Sequence, residues 1–402
     1  MKHEAEEAAQ ADRTGGRRRE GGLVLEGGRS GNELERPPVE LSYRLKRSVQ
    51  AFPASDGVLY LVRLGAGDDL SIEEADCFDR ALIDLLGSET FRSEAEIADQ
   101  LAEESGVASR LRPALADLKA AGVLELRPYP DLLNDRAAER YARQLIYLAD
   151  LADPKSGPEP LQLRLGRSSV MLIGCGGLGS WVASGLAGAG VGSLVLVDDD
   201  RVELSNLNRQ LLFRESQVGE LKTSAAADSL RAHNSEIEVV EVSRRLRCEA
   251  DLTELVESDL DLVVATADWP PHELPRWVNR ACVSAGVPWI GAGQFPPRLR
   301  VGPLVIPGES ACLECLEGAV RREYPLYEEL AAWRSRGELP DPSVGPVCGV
   351  IGSLIASEAL HLLTEAFQPE SVGQALMLDL RTMELRKQKV SMDASCRVCG
   401  TA

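Results

Sequence analysis

Only four histidines occur in the 402 residues, His3, His233, His272 and His361, and the sequence offers no Cys-His or Ser-His pairing from which a nucleophilic triad could be built. Cations are also in short supply. Lys and Arg number 44 against 63 Asp and Glu, a formal net charge of -19, which excludes nucleic acid as the main partner because phosphate binding needs clustered positive charge. No secretory signal is present, since residues 1–38 are polar and charged with no apolar core. The uncharged run 168–197 is long enough to cross a bilayer. Eight glycines interrupt it, so strand, turn, helix and strand are expected there and no membrane span. Nine cysteines in a chain of this length do not make a disulfide scaffold, and a reducing cytoplasm is the expected compartment. No internal repeat is found.

What is present is the composition of a globular protein, 44% hydrophobic, with room for one large core and a smaller one. Three segments are expected: a disordered extension at 1–38, a small domain at 39–128 and a large domain at 136–402. The extension is rich in Glu, Arg, Gly and Ala and too poor in apolar residues to fold.

The large domain is organised around residues 170–222. An apolar run, Val170 to Ile173, leads into Gly174-Cys175-Gly176-Gly177-Leu178-Gly179-Ser180, and a second run, Leu194 to Val197, ends in Asp198-Asp199-Asp200. In a βαβ unit such glycines let backbone approach a phosphate at a helix N-terminus, and the following acid can take ribose hydroxyls. That pattern alone fits NAD or a flavin. Arg209 within Ser205-Asn206-Leu207-Asn208-Arg209-Gln210, together with Lys222, argues instead for a triphosphate, which needs cations over its departing pyrophosphate.

At this point the chain resembles the ThiF/MoeB family of ubiquitin-activating-enzyme-like adenylyltransferases. The marks recur in order: Arg140-Tyr141-Ala142-Arg143-Gln144, the glycine turn, Asp198, the Ser205 to Gln210 run, Lys222, and Ala265-Thr266-Ala267-Asp268. The likeness covers roughly residues 136–400. It implies an α/β fold with a Rossmann-like doubly wound sheet of the ThiF type. It also implies ATP bound by Gly174, Gly176, Gly177, Gly179, Asp198, Asp200, Ser205, Asn206, Asn208, Arg209 and Lys222, with Mg2+ on Asp268. By the same resemblance Arg143 is an arginine finger that reaches the triphosphate from the partner subunit of a homodimer, and Arg143, Arg209, Lys222 and Asp268 form the catalytic set.

Within residues 39–128, 57–62 alternates like a strand, with 41–45 as a candidate partner. Helices are expected from Ser71, Ser93 and Ser109, with capping boxes at Ser71/Glu74 and Ser93/Glu96 and a short strand from Val123. This small α+β, winged-helix-like pattern resembles the PqqD-like domains that hold precursor leader peptides. A winged-helix reading as a nucleic-acid binder conflicts with Asp68, Asp69, Glu73, Glu74, Asp76 and Asp79.

Two Cys-x-x-Cys pairs, Cys312/Cys315 and Cys396/Cys399, supply four thiolates for one structural Zn2+, at places where the family also keeps zinc. Many members carry a nucleophilic cysteine in the loop after the first pair, but residues 316–345 contain none. Cys348 lies at the following helix start and is read as a packing residue, and His272 as a helix-start residue. The family usually follows the magnesium aspartate with Asn. Here Trp269-Pro270-Pro271-His272 stands there, so the acceptor side is altered.

The expected function is ATP- and Mg2+-dependent adenylation of a carboxylate on a ribosomally made precursor peptide, similar to the microcin-type peptide adenylating enzymes. Its leader would be bound by residues 39–128. The alternatives are adenylation of a ubiquitin-like sulfur carrier and a non-catalytic leader-binding partner of a cyclodehydratase.

Overall fold

The computed structural model describes residues 41–54, 57–63, 70–128, 132–152, 157–334 and 342–400. The extension expected at 1–38, together with Asp68 and Asp69, lies outside the described residues.

The small body runs β1 (Leu41–Leu45), β2 (Val49–Pro53), β3 (Leu59–Arg63), β4 (Leu70–Ile72), α1 (Cys77–Leu86), β5 (Arg92–Ser93), α2 (Glu94–Gln100), α3 (Val107–Ala120) and β6 (Leu124–Pro128). Its strands form two three-stranded sheets, β5-β1-β6 and β2-β3-β4, rather than one strand pair. Leu41–Leu45 therefore does not pair with β3. It lies antiparallel to β6, where Leu45, Leu124 and Leu126 enter a core with Phe78, Leu82, Leu86, Ile97 and Leu115. The first helix starts at Cys77, not Ser71. Asp76 accepts from the Asp79 N–H and Asp79 accepts from the Asp76 N–H, a better box than Ser71, which is tied to Tyr60 in the sheet. Ser93 and Glu96 do form the expected box. The third helix is capped by Gly106, in the left-handed region, and the Ser109 hydroxyl donates to the Gly106 carbonyl at 3.0 Å.

The large body opens with α4 (Asp135–Arg140) and α5 (Ala142–Leu151), which meet at Tyr141; the sequence predicts a helix from Arg140 to Leu151, which corresponds to α5, and α4 precedes it. The buried Tyr141 hydroxyl accepts from Asn234 Nδ2 at 3.0 Å, which fixes the joint. A loop was expected up to Pro160, yet α6 (Glu159–Leu165) starts there, with Pro160 in the first turn where a missing N–H costs nothing. The chain continues through β7 (Ser169–Ile173), α7 (Gly177–Ala189), β8 (Ser193–Val197), α8 (Lys222–His233), β9 (Glu238–Val242), α9 (Glu249–Thr253), β10 (Leu262–Ala265) and α10 (Glu273–Ala285). Helix α8 begins at Lys222 rather than Ser216, because 215–217 forms a separate 3-10 turn. Then follow β11 (Trp289–Phe295), β12 (Arg298–Val305), α11 (Leu313–Glu323), α12 (Tyr327–Arg334), α13 (Gly345–Thr364), β13 (Gln374–Asp379) and β14 (Glu384–Lys389).

Eight strands share one sheet in the order β14-β13-β12-β11-β10-β7-β8-β9. The five strands from β9 to β11 are parallel, and β12, β13 and β14 add antiparallel neighbours. Buried apolar residues of α7, α8 and α13 cover one face, and those of α9, α10 and α11 the other. This is the doubly wound α/β fold. The chain leaves β7 toward β8 on one side and returns to β10 on the other, so the crevice between β7 and β10 is the switch point where such sheets bind ligands.

Helix α13 is long and apolar enough to cross a membrane, yet it is a core helix. A β-carbon on Gly352 would stand 2.5 Å from Trp181 Cβ, so α13 and α7 approach to backbone distance.

Candidate active site

At the switch point β7 turns into α7 through glycines that have no room for a side chain. Gly174 has φ 95° and its β-carbon would lie 2.6 Å from the Ala267 nitrogen. One on Gly179 would lie 1.9 Å from the Gly174 carbonyl oxygen, and one on Gly177 would meet Cys348 Sγ at 2.8 Å and Arg209 Cγ at 3.4 Å. Gly176 is less crowded, with Gln210 Nε2 at 3.7 Å, and serves as the N-cap of α7. No side chain caps α7, so its first N–H groups are available to an anion in the crevice.

Asp198 ends β8 beside this turn. Its Oδ2 accepts from the Cys175 N–H at 2.7 Å and its Oδ1 from the Asp200 N–H at 2.9 Å. Burial raises its pKa, outweighing the lowering by Lys222 and these two N–H groups. Lys222, at the start of α8, is itself buried and reaches Asp200 Oδ2 at 2.7 Å. Arg209 Nη1 donates to the Ser205 carbonyl at 2.9 Å and to Asn208 Oδ1 at 3.1 Å, so its guanidinium is aimed from a braced loop. Asn206 is buried and its Oδ1 accepts from the Glu203 N–H at 3.0 Å, which holds the loop's shape. Ser205 donates to Glu203 at 3.1 Å. A β-carbon on Gly345 would lie 2.9 Å from the Asn208 carbonyl oxygen, so the N-terminus of α13 closes on the same loop.

Asp268 is exposed three residues beyond β10, next to the Ala267 that faces Gly174. Thr266 Oγ1 donates to the Gly174 carbonyl at 2.8 Å and so fastens the Asp268 loop to the glycine turn. The fold thus gathers the glycines, Asp198, Asp200, Lys222, Ser205, Asn206, Asn208, Arg209 and Asp268 around one crevice. Arg143 is not among them within one chain. Its helix is pinned at the far end of α7, where Gln144 Nε2 donates to the Ala189 carbonyl at 2.8 Å, about 20 Å along the helix from the glycine turn.

His272 caps α10 with φ 68°. Cys348 is buried, with Ser343 Oγ at 3.0 Å and Gln294 Nε2 at 3.6 Å. Gln294 and Ser343 drew no notice in the sequence because nothing marks them until α13 and β11 come together.

The four cysteines converge between α11 and the C-terminal turn. Their sulfurs lie within 4.8 Å of one another, with Cys312–Cys396 at 3.7 Å and Cys315–Cys399 at 3.4 Å. Four thiolates about 2.3 Å from a central zinc would be about 3.8 Å apart, so the donor set and its spacing fit a closed tetrahedral site.

A nucleotide crevice at the switch point of a doubly wound sheet, with a four-cysteine cluster on the flank, places the chain in a class: it belongs to the ThiF family, whose model matches residues 141–398. It is 35% identical over 271 residues to the sulfur carrier protein ThiS adenylyltransferase of Escherichia coli (strain K12), covering 67% of this chain and 97% of that protein. It is also 35% identical over 322 residues to the adenylyltransferase and sulfurtransferase MOCS3 of Sus scrofa; that match covers 78% of this chain but only 65% of the relative. Among solved structures, E. coli MccB with ATP matches with a TM-score of 0.69 at 26% identity, covering 89% of this chain and 100% of that one. MccB with SeMet MccA gives a TM-score of 0.70 at 26% identity, covering 90% of this chain and 100% of that one. The chain is an adenylyltransferase of the ThiF/MoeB type.

Proposed function

We propose that this protein uses ATP to adenylate a carboxylate on a ribosomally made precursor peptide, and that residues 39–128 hold the peptide's leader. The observation that carries this reading is the extent of the structural match. The sequence alignments to the sulfur-carrier adenylyltransferase and to MOCS3 cover 67% and 78% of the chain, whereas the structural alignment to MccB covers 89%, a coverage the ThiF portion alone cannot supply. MccB structures hold MccA. The small body here adds two sheets ahead of the adenylating fold, and a peptide can join such a sheet edge as a further strand.

In the proposed reaction a carboxylate oxygen attacks the α-phosphorus, the P–O bond to pyrophosphate breaks, and an acyl adenylate forms. Asp198 holds the ribose hydroxyls. The α7 N-terminus, Lys222 and Arg209 face the phosphates, where charge grows as pyrophosphate leaves. Asp268 offers a free carboxylate to Mg2+, which would neutralise phosphate charge. Arg143 completes the site from a second subunit, in keeping with its distance from the crevice in its own chain. Zinc on the four cysteines is structural, and the protein works as a cytoplasmic homodimer.

The sequence relatives favour a second reading, adenylation of a ubiquitin-like sulfur carrier. Leader truncation separates the two. With a leader-bearing precursor peptide as substrate, removing its leader should raise KM with little change in kcat. Equal KM for full and leaderless peptide contradicts the role given to residues 39–128.

A further inference from the structure

The rim formed by β11 and β12 holds a cation, Arg300, that makes no ion pair among the described residues. Gly293 and Arg300 are opposite one another in the antiparallel pair, and Arg300 Nε stands 3.4 Å from where a β-carbon on Gly293 would lie. The Arg300 Nε thus lies close over Gly293, beside the Phe295 ring, whose Cε2 is 2.7 Å from the same point. Its Nε is out of solvent and has no hydrogen-bond partner, and among the described residues Arg300 makes no ion pair. Burial lowers its pKa, and the charges of Tyr327 and Glu317 offset this only in part. Glu317 is committed elsewhere, to Arg276 at 2.9 Å and Arg321 at 3.2 Å. Arg276 Nη2 is also out of solvent and without a partner. Arg321 has a second acid, Glu328, on the exposed side. The half-buried interior of the cluster therefore contains one carboxylate against Arg276 and Arg300. Arg300 is half-buried, with its Nε out of solvent and unpaired, and an anionic ligand would offset the cost of that desolvation.

The cluster is tied to the reaction crevice. On the other face of β11, Gln294 reaches Cys348 through its Nε2 and leaves a buried Oε1 without a partner, while Cys348 backs Gly177 in the glycine turn. Register sets the separation. Ala265, the last residue of β10, pairs with Gly291, two residues before Gly293, and Ala267, two residues beyond β10, packs on Gly174. With neighbouring strands about 4.8 Å apart, a guanidinium lying over β11 is about 10 Å from the turn at the end of β7. An extended peptide advances about 3.4 Å per residue, so a group at Arg300 belongs to a residue within about three positions of one reacting at the turn.

We propose that Arg300, supported by Arg276, is a specificity-determining residue that holds a second substrate carboxylate, an Asp or Glu side chain close in sequence to the carboxylate being activated. This rests on the peptide-adenylation reading above. The test uses the full-length protein with ATP and Mg2+, and two pools of hexapeptides with free C-termini at millimolar concentration. One pool carries Asp or Glu at the third to fifth positions and the other Asn or Gln. Peptide-dependent exchange of pyrophosphate into ATP is measured for wild type, Arg300→Gln and Arg300→Lys, with ATP affinity measured separately.

Wild type should favour the acidic pool by about 10- to 100-fold. Arg300→Gln should lose that preference, Arg300→Lys should keep part of it, and ATP affinity should be unchanged in both. Equal use of the pools by wild type, or an undiminished preference in Arg300→Gln, overturns the assignment. Weakened ATP binding in a folded Arg300→Lys protein also overturns it, because the arginine would then be a phosphate contact. Silence from both pools overturns it as well. If a leader-bearing precursor peptide then drives exchange, the parent reading survives; if only a ubiquitin-like carrier does, both fall.

Discussion

The sulfur of Cys348 stands 2.8 Å from the point a β-carbon on Gly177 would occupy, which locks the start of α13 against the start of α7 behind the glycine turn. The thiol is buried with Ser343 and Gln294 as neighbours, so it supports the turn and is not presented to an acyl group. Gly177→Ala should push Cys348 or the turn aside and weaken ATP binding, readable by calorimetry. Cys348→Ser should keep pyrophosphate exchange within a few-fold of wild type. A folded but inactive Cys348→Ser protein would instead make this thiol part of the chemistry.

In the proposed reaction Lys222 and Arg209 act where charge develops, so their loss should show in kcat/KM more than in folding. Arg209→Ala and Lys222→Ala should each lower substrate-dependent exchange about 100-fold, equivalent to about 3 kcal/mol. Asp268→Ala should do the same and raise the Mg2+ requirement. Unchanged exchange in Asp268→Ala would remove it from the metal role.

Arg143 is held at the Ala189 end of α7, far from its own glycine turn. Arg143→Ala alone should be inactive, and so should Lys222→Ala alone. Mixed heterodimers should regain one complete site and a fraction of wild-type rate. No recovery in a verified heterodimer contradicts the crossing of Arg143 between subunits.

The four sulfurs are close enough to share one ion. Purified protein should contain one zinc per chain, and the double variant Cys396→Ser, Cys399→Ser should lose both the metal and thermal stability. Stoichiometric zinc retained in that variant would place the ion elsewhere.

Burial raises Asp198 above the ordinary carboxylate value, so its ionisation opposes folding. The stability it contributes is fully present below the unfolded-state pKa and is lost as pH rises through the folded value. The stability of wild type relative to Asp198→Asn should therefore fall as pH rises above the ordinary carboxylate range, as measured by chemical denaturation. A difference that grows with pH would reverse the sign of the shift.

The glycine turn and its acids were readable because backbone collisions at Gly174, Gly177 and Gly179 leave no alternative residue, and the motif keeps that record locally. Ser93 and Glu96 were readable for the same reason, since a capping box is local. What escaped is long-range. The partner of β1 is β6, about 80 residues on, although Leu59 and Leu61 of β3 enter the same core as Leu124 and Leu126, so apolar pattern alone does not choose between them. Strand β12, with Arg298 and Arg300 alternating among Leu299 and Val301, looks like surface until β11 and β13 pair with it on both sides. The acceptor side, with Gln294 and Arg300, follows from that pairing and was equally hidden.

Substrate-dependent exchange of pyrophosphate into ATP, with a leader-bearing precursor peptide set against a ubiquitin-like sulfur carrier, tests the central claim most directly. The peptide should drive exchange that is lost in Lys222→Ala, while the carrier should give none above background. Exchange driven by the carrier and not by the peptide would contradict the account.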